Sequence, residues 1–229
     1  MNLSRPIAVI AALFFLLTEV GAITGRALYG PILTSTDYIT GSGADDRILW
    51  GALFELLLVI AAIGTAVTLY PIVRRQHEGV ALAFVLARLV EAVAIMIGIL
   101  SLLTIVSLRE QYDGSADPDT LSPVGSALLA LHDWTFLFGP NFALGAASVL
   151  LAYLMYASGL VPRAIAVLGL VGGTLIFGSA IAVMFGAYEQ TSAPGLLVAL
   201  PVFAWELALI GWLLVKGFRP ASILTTSAA

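Results

Sequence analysis

Arg88 and Glu91 are the only ionisable residues between Val80 and Ser107, in a run otherwise dominated by Ala, Val, Ile and Leu. A segment this apolar, and longer than about 18 residues, reads as a transmembrane helix. In lipid only a helix or a closed barrel satisfies every backbone N–H and C=O. Three residues apart, Arg88 and Glu91 share one helix face and can touch. Charges at bilayer depth are costly, so the pair needs a reason.

The rest of the chain repeats the pattern. With 60% hydrophobic and 10% charged residues and a mean hydropathy of +1.04, a soluble domain is excluded. The expected fold class is all-α, a polytopic membrane bundle of about six transmembrane helices. It forms a single integral-membrane domain over residues 1–229 with spans near 7–25, 48–70, 80–107, 130–156, 164–186 and 195–215, and a polar tail over 216–229. Its first partner is the lipid bilayer. Arg5 followed by an apolar stretch from Ile7 to Leu17 imitates a secretory signal, but Glu19 falls where cleavage would occur. The segment reads as an uncleaved first span. Cysteine is absent, which removes disulfides, thiolate metal sites and thiol nucleophiles.

Positive charge sets the orientation. Arg5, Arg74, Arg75, Arg163, Lys216 and Arg219 fall on one side; Arg26, Arg47 and Arg109 fall on the other. The second side also carries Asp37, Asp45, Asp46, Glu110, Asp113, Asp117, Asp119 and Glu189. Six basic residues against three place both termini in the cytoplasm of a multi-pass inner-membrane protein. No inverted repeat between the halves supports a conventional secondary transporter.

Glu19, Glu55, Glu91 and Glu206 lie inside spans, and their depths nearly coincide. At 1.5 Å per residue from the cytoplasmic side, Glu19 lies about 18 Å deep, Glu55 about 20, Glu91 about 16 and Glu206 about 15, with Arg88 about 12. Four carboxylates against one arginine cannot all be ionised in low dielectric, so at least one should hold a proton. Such a layer can bind a cation or pass a proton. It can equally be a structural network in which Arg88 neutralises an acid and the others hydrogen-bond between helices. On that view Glu55 and Glu206 are packing contacts.

His132 and Asp133 come next. A His-Asp pair can hold a metal or relay protons, but one intramembrane histidine falls short of a zinc site. The plainer expectation is that the pair polarises the start of span four at the interface. Further along, Pro140 frees a carbonyl that Asn141 could satisfy, and the resulting kink would bring His132 and Asp133 toward the carboxylates. Gly169, Gly172 and Gly173, then Gly178, Ala182 and Gly186, give span five a small-residue face for packing within the bundle. Trp50, Trp134, Trp205 and Trp212 read as interfacial anchors with Tyr29, Tyr38, Tyr70, Tyr153 and Tyr156. There is no phosphate loop, no Ser-His-Asp arrangement and no basic patch for nucleic acid.

Three stretches carry a resemblance: Ala83 to Ala92, around Arg88 and Glu91; Leu131-His132-Asp133 leading to Phe138-Gly139-Pro140-Asn141; and Tyr156 to Arg163, the segment YASGLVPR. The first resembles the third-helix signature of a bacterial integral-membrane family catalogued as a domain of unknown function, forty-three eighty-six, and the other two agree with it. The similarity covers nearly the whole chain and is strongest from about Ala83 to Gly173. It implies a bacterial membrane protein of six or seven helices and emphasises Arg88, Glu91, His132 and Arg163. It assigns no activity, and Glu19 and Glu206 belong to none of its motifs.

The leading functional expectation is a polar midplane site that binds or moves a proton, a cation or a small polar solute. The alternative is a non-catalytic subunit that binds a membrane protein partner and uses its buried charges for packing. A metal-dependent membrane enzyme built on glutamate and His132 ranks third, for want of a second intramembrane histidine.

Overall fold

The computed structural model describes residues 4–34, 38–40, 43–112 and 118–220. Asp37, Asp113 and Asp117, counted above among the acids of one side, and the polar tail beyond Pro220 lie outside them. The described chain is helical: α1 (Ser4–Leu28), α2 (Gly30–Thr34), α3 (Asp45–Val73), α4 (Glu78–Tyr112), α5 (Pro118–Leu137), a π-helical segment (Phe138–Ala143), α6 (Leu144–Ser158), α7 (Arg163–Met184) and α8 (Ala193–Val215). Six helical segments, with α5, the π segment and α6 counted as one, are long and apolar enough to cross a membrane. The chain is therefore a multi-pass helical membrane protein whose exposed apolar faces meet lipid.

The longest helix, α4, is the spine. It packs on α3, α5, the π segment and α6, while α1 lies along α3 and touches α8, and α7 sits between α6 and α8. Connections at one end of the bundle are tight. Gly159 terminates α6 in a left-handed turn, φ 69°, where a residue without Cβ is favoured, and Pro162 caps the start of α7. At the same end Arg5 donates to the last carbonyls of α8, Nη2 to Leu214 O at 2.7 Å and Nη1 to Leu213 O at 3.3 Å. A cation on the orphan carbonyls of a helix C-terminus is doubly favourable. The other end carries the longer loops, where Arg109 near the end of α4 pairs with Asp45 at the start of α3 and Asp45 also accepts from the Tyr38 hydroxyl at 2.9 Å.

Glycines set how closely the helices approach. On α1, a β-carbon at Gly21 would stand 2.8 Å from Phe54 O, and one at Gly25 2.7 Å from Glu55 Cγ. On α3, one at Gly51 would meet the Tyr29 ring at 2.6 Å. This spacing, Gly21 to Gly25, is the small-residue motif that lets helices meet in lipid, and it brings Glu55 against α1. The buried apolar residues then divide into two clusters. One, around Phe15, Leu69, Phe84, Leu154 and Trp205, fills the tight-turn end; the other, around Tyr29, Ile48, Ile95 and Leu102, fills the long-loop end. Thr18, Arg88 and Glu91 are buried polar residues of the same bundle.

Two expectations are corrected. The helix that carries span four starts well before residue 130: α5 begins at Pro118, so His132 stands more than three turns inside the helix and does not cap it. Trp205 is no interfacial anchor. It is 1% exposed, because Gly169 leaves room for its indole, which a β-carbon there would meet at 2.4 Å.

Candidate functional site: a carboxylate cavity

The apolar clusters part around a cavity of about 290 Å³. Glu19 and Arg26 enter it from α1, Glu55 from α3, Arg88 and Glu91 from α4, and Glu206 from α8. The opposite wall comes from Phe136, Pro140 and Leu144, around the π segment. Helical rise alone puts the four carboxylates at one depth; the close α1–α3 contact at Gly21 and Gly25 and the spine position of α4 bring them to one space.

Within the cavity one ion pair forms among the described residues. Arg88 Nη1 donates to Glu91 Oε2 at 2.8 Å, and Arg88 Nε reaches Ala62 O of α3 at 3.4 Å. Arg26 acts on Glu55 electrostatically, and Tyr29 stands beside the same carboxyl. Glu206 and Glu19 line the same cavity from α8 and α1. Glu19 Oε1 is buried and accepts no hydrogen bond. On its other flank Arg88 borders a void of about 10 Å³ with Ser148, Trp205 and Glu206. There the unpartnered Arg88 Nη2, Ser148 Oγ and Trp205 Nε1 surround space for one water.

A second cleft, of about 520 Å³, lies at the long-loop end and is lined by Asp133, Trp134, Tyr188, Glu189, Gln190 and Thr191 among others. It shares Arg26 and Phe136 with the carboxylate cavity. The Arg26 guanidinium lies 5.5 Å from the centre of the Phe136 ring, within cation–π range. These two side chains form the partition between the two spaces.

The structure separates His132 from Asp133. Adjacent residues on a helix point about 100° apart. Asp133 lines the cleft, while His132 turns inward against Gly98 of α4, whose β-carbon would lie 3.2 Å from His132 Nδ1. His132 packs edge-on to the Tyr29 ring at 6.0 Å and stacks on Phe136 at 6.3 Å. Neither residue of the pair lines the carboxylate cavity, so the kink does not deliver them there. Arg163 lies at the start of α7, its guanidinium 5.9 Å from the Tyr156 ring, away from both spaces.

The π segment itself is anchored by a residue that sequence reasoning passed over. Pro140 has no N–H for the carbonyl four residues back, Phe136. Gln190, in the loop before α8, donates Nε2 to Phe136 O at 3.2 Å and to Asn141 Oδ1 at 3.1 Å. Gly139 then lets the segment lie on α4 beside the site, a β-carbon there standing 3.3 Å from Glu91 O. Gln190→Leu strands both acceptors and should cost about 1–3 kcal/mol, read as earlier unfolding in detergent; an unchanged unfolding curve would show that the carbonyl does not depend on Gln190. Arg26 was missed for a different reason. It follows Glu19 by seven residues and Ala22 by four, the spacing of one helical stripe, but as a cation near a span end it read only as an orientation signal.

Comparison with curated proteins and with solved structures finds no match. A family model does match: the family described as Domain of unknown function (DUF4386) covers residues 10–217, and the chain belongs to that family.

Proposed function

We propose that this protein binds a cation, a proton or a small polar solute in the carboxylate cavity and exchanges it with the long-loop side of the membrane. The observation that carries the reading is the convergence of Glu19, Glu55, Glu91 and Glu206, from four helices, on one cavity that also holds Arg88. Ionisable groups inside a membrane bundle mark solute and ion pathways more often than lipid-facing positions. The cleft beyond Arg26 and Phe136 supplies the access. In the orientation proposed from the basic residues, with both termini in the cytoplasm of a bacterial inner membrane, that cleft opens outward.

Reconstitution into proteoliposomes tests the reading. Wild-type protein should pass protons or a monovalent cation, and Glu91→Gln should abolish the flux while leaving the fold intact, since the amide oxygen still accepts from Arg88. Unchanged flux in the variant, or no cation flux in the wild type, counts against it.

A second reading is favoured by Arg88, which is 2% exposed and ties α4 to α3 through Ala62 as a structural cation would. In that case the protein is a membrane subunit whose charges set packing. A partner protein should then remain bound through mild solubilisation, and a monodisperse lone chain would argue against it.

A further inference from the structure

The carboxylates of the cavity outnumber its cations. Arg88 is ion-paired with Glu91, while among the described residues no basic side chain makes an ion pair with Glu55. Glu19 and Glu206 both line the cavity, and among the described residues neither has an ion-pair partner. The free acceptor of the two is Glu19 Oε1. Four carboxylates face two guanidiniums in the cavity, so it is short of positive charge.

The geometry decides what kind of cation can supply it. Among the described residues no three carboxylate or histidine side chains stand close enough together to hold one metal ion, although four carboxylates line the cavity. They surround a space instead of converging on a point. That space, about 290 Å³, is at the lower edge of the range for small organic ligands, about 300–1,000 Å³. Much of its wall is apolar: Ile23, Leu58, Ile95, Pro140 and Leu144 face it, with the Phe136 ring. Such a wall gives nothing to a bare inorganic ion and adds stability to a hydrocarbon group. Ile23 is also 59% exposed on the outer flank of α1, so the apolar side of the cavity adjoins the bilayer.

We infer that the carboxylate cavity is a site for an organic ammonium monocation with an apolar body, the ammonium on Glu19 and Glu206 and the hydrocarbon against Leu58, Ile95 and Leu144. The inference rests on the reading of the cavity as a cation site and adds the class of cation. A primary ammonium has three donors to distribute among carboxylate oxygens.

The test is calorimetric titration of the full-length protein in detergent with three probes: 2-phenylethylammonium chloride, its neutral analogue 2-phenylethanol, and sodium chloride. The amine should bind saturably, and the alcohol and sodium should not. Glu19→Gln should weaken the amine at least about tenfold, since it removes the charge that the ammonium meets. Glu19 is partly exposed, so the variant should fold. Leu144→Trp supplies an independent arm, filling the cavity without changing its charge, and should also abolish amine binding. Equal binding of amine and alcohol overturns the inference, because the site would then be a neutral apolar cavity. Sodium binding without amine binding overturns it too, while leaving the broader cation site standing. Absence of binding by every probe, together with absence of flux in proteoliposomes, overturns both.

Discussion

Arg88→Met should be the most damaging single substitution within the cavity, costing about 3–5 kcal/mol. Arg88 is 2% exposed and carries two tasks at once. Its Nη1 holds the Glu91 carboxylate at 2.8 Å and its Nε bridges to Ala62 O on the neighbouring helix. Removing the guanidinium leaves Glu91 buried beside Glu206 without a cation. That uncompensated charge, not the lost contact, dominates the cost. Lysine should rescue poorly, because a single ammonium cannot reproduce the fork that meets Glu91 and the α3 carbonyl together. Methionine at 88 combined with Glu91→Leu should recover much of the loss, since the pair is then replaced by packing of similar volume. Recovery should fall short of complete, as Arg88 also acts on Glu206. Denaturant unfolding of the two single variants and the double reads the coupling directly. If Arg88→Met unfolds like the wild type, the pair carries no structural weight.

This pairing was readable before any coordinates, for a simple reason. Residues three apart on a helix meet whatever surrounds them, and the run from Val80 to Ser107 leaves no alternative to a helix. The common depth of Glu19, Glu55, Glu91 and Glu206 was readable on similar grounds, since the rise per residue and the span starts set it. Depth does not fix azimuth, however. Four residues at one level may face four directions, and here the Gly21–Gly25 contact with α3 turns Glu19 and Glu55 toward the same space. That contact is encoded in α1, but a single pair of glycines four apart does not name the helix that it meets.

Other features needed the tertiary structure. Thr120 to Leu129 is apolar enough to be helix and polar enough to be loop, so the start of α5 fell about a dozen residues late. His132 consequently read as an interfacial residue, although it is buried against Gly98 and Tyr29. Gln190 lies far along the chain from the carbonyl that it satisfies, and no periodicity links them. Pro140 announced that Phe136 O would need a donor; nothing local could say which residue would provide it.

The small-residue face of α7 makes the second large effect predictable position by position. Gly172→Val should separate α7 from α8 and cost about 3 kcal/mol, at the upper end for overpacking. A β-carbon at Gly172 would lie 2.6 Å from Val202 N and 2.7 Å from Val202 Cα. These are backbone atoms of α8 and cannot swing aside as a side chain can, so the helices must part. Parting them also draws Trp205 and Glu206 from their places, one turn along α8. Gly178→Val is the matched control: a β-carbon there meets nothing within 4 Å, so stability should change by less than about 0.5 kcal/mol. Both glycines lie within the same helix and have the same intrinsic propensity, but only Gly172 is packed against α8. Any difference between the two variants in detergent unfolding therefore reports on the contact with α8. Equal destabilisation at both positions would mean that glycine on α7 serves the helix itself, not the approach of its neighbour.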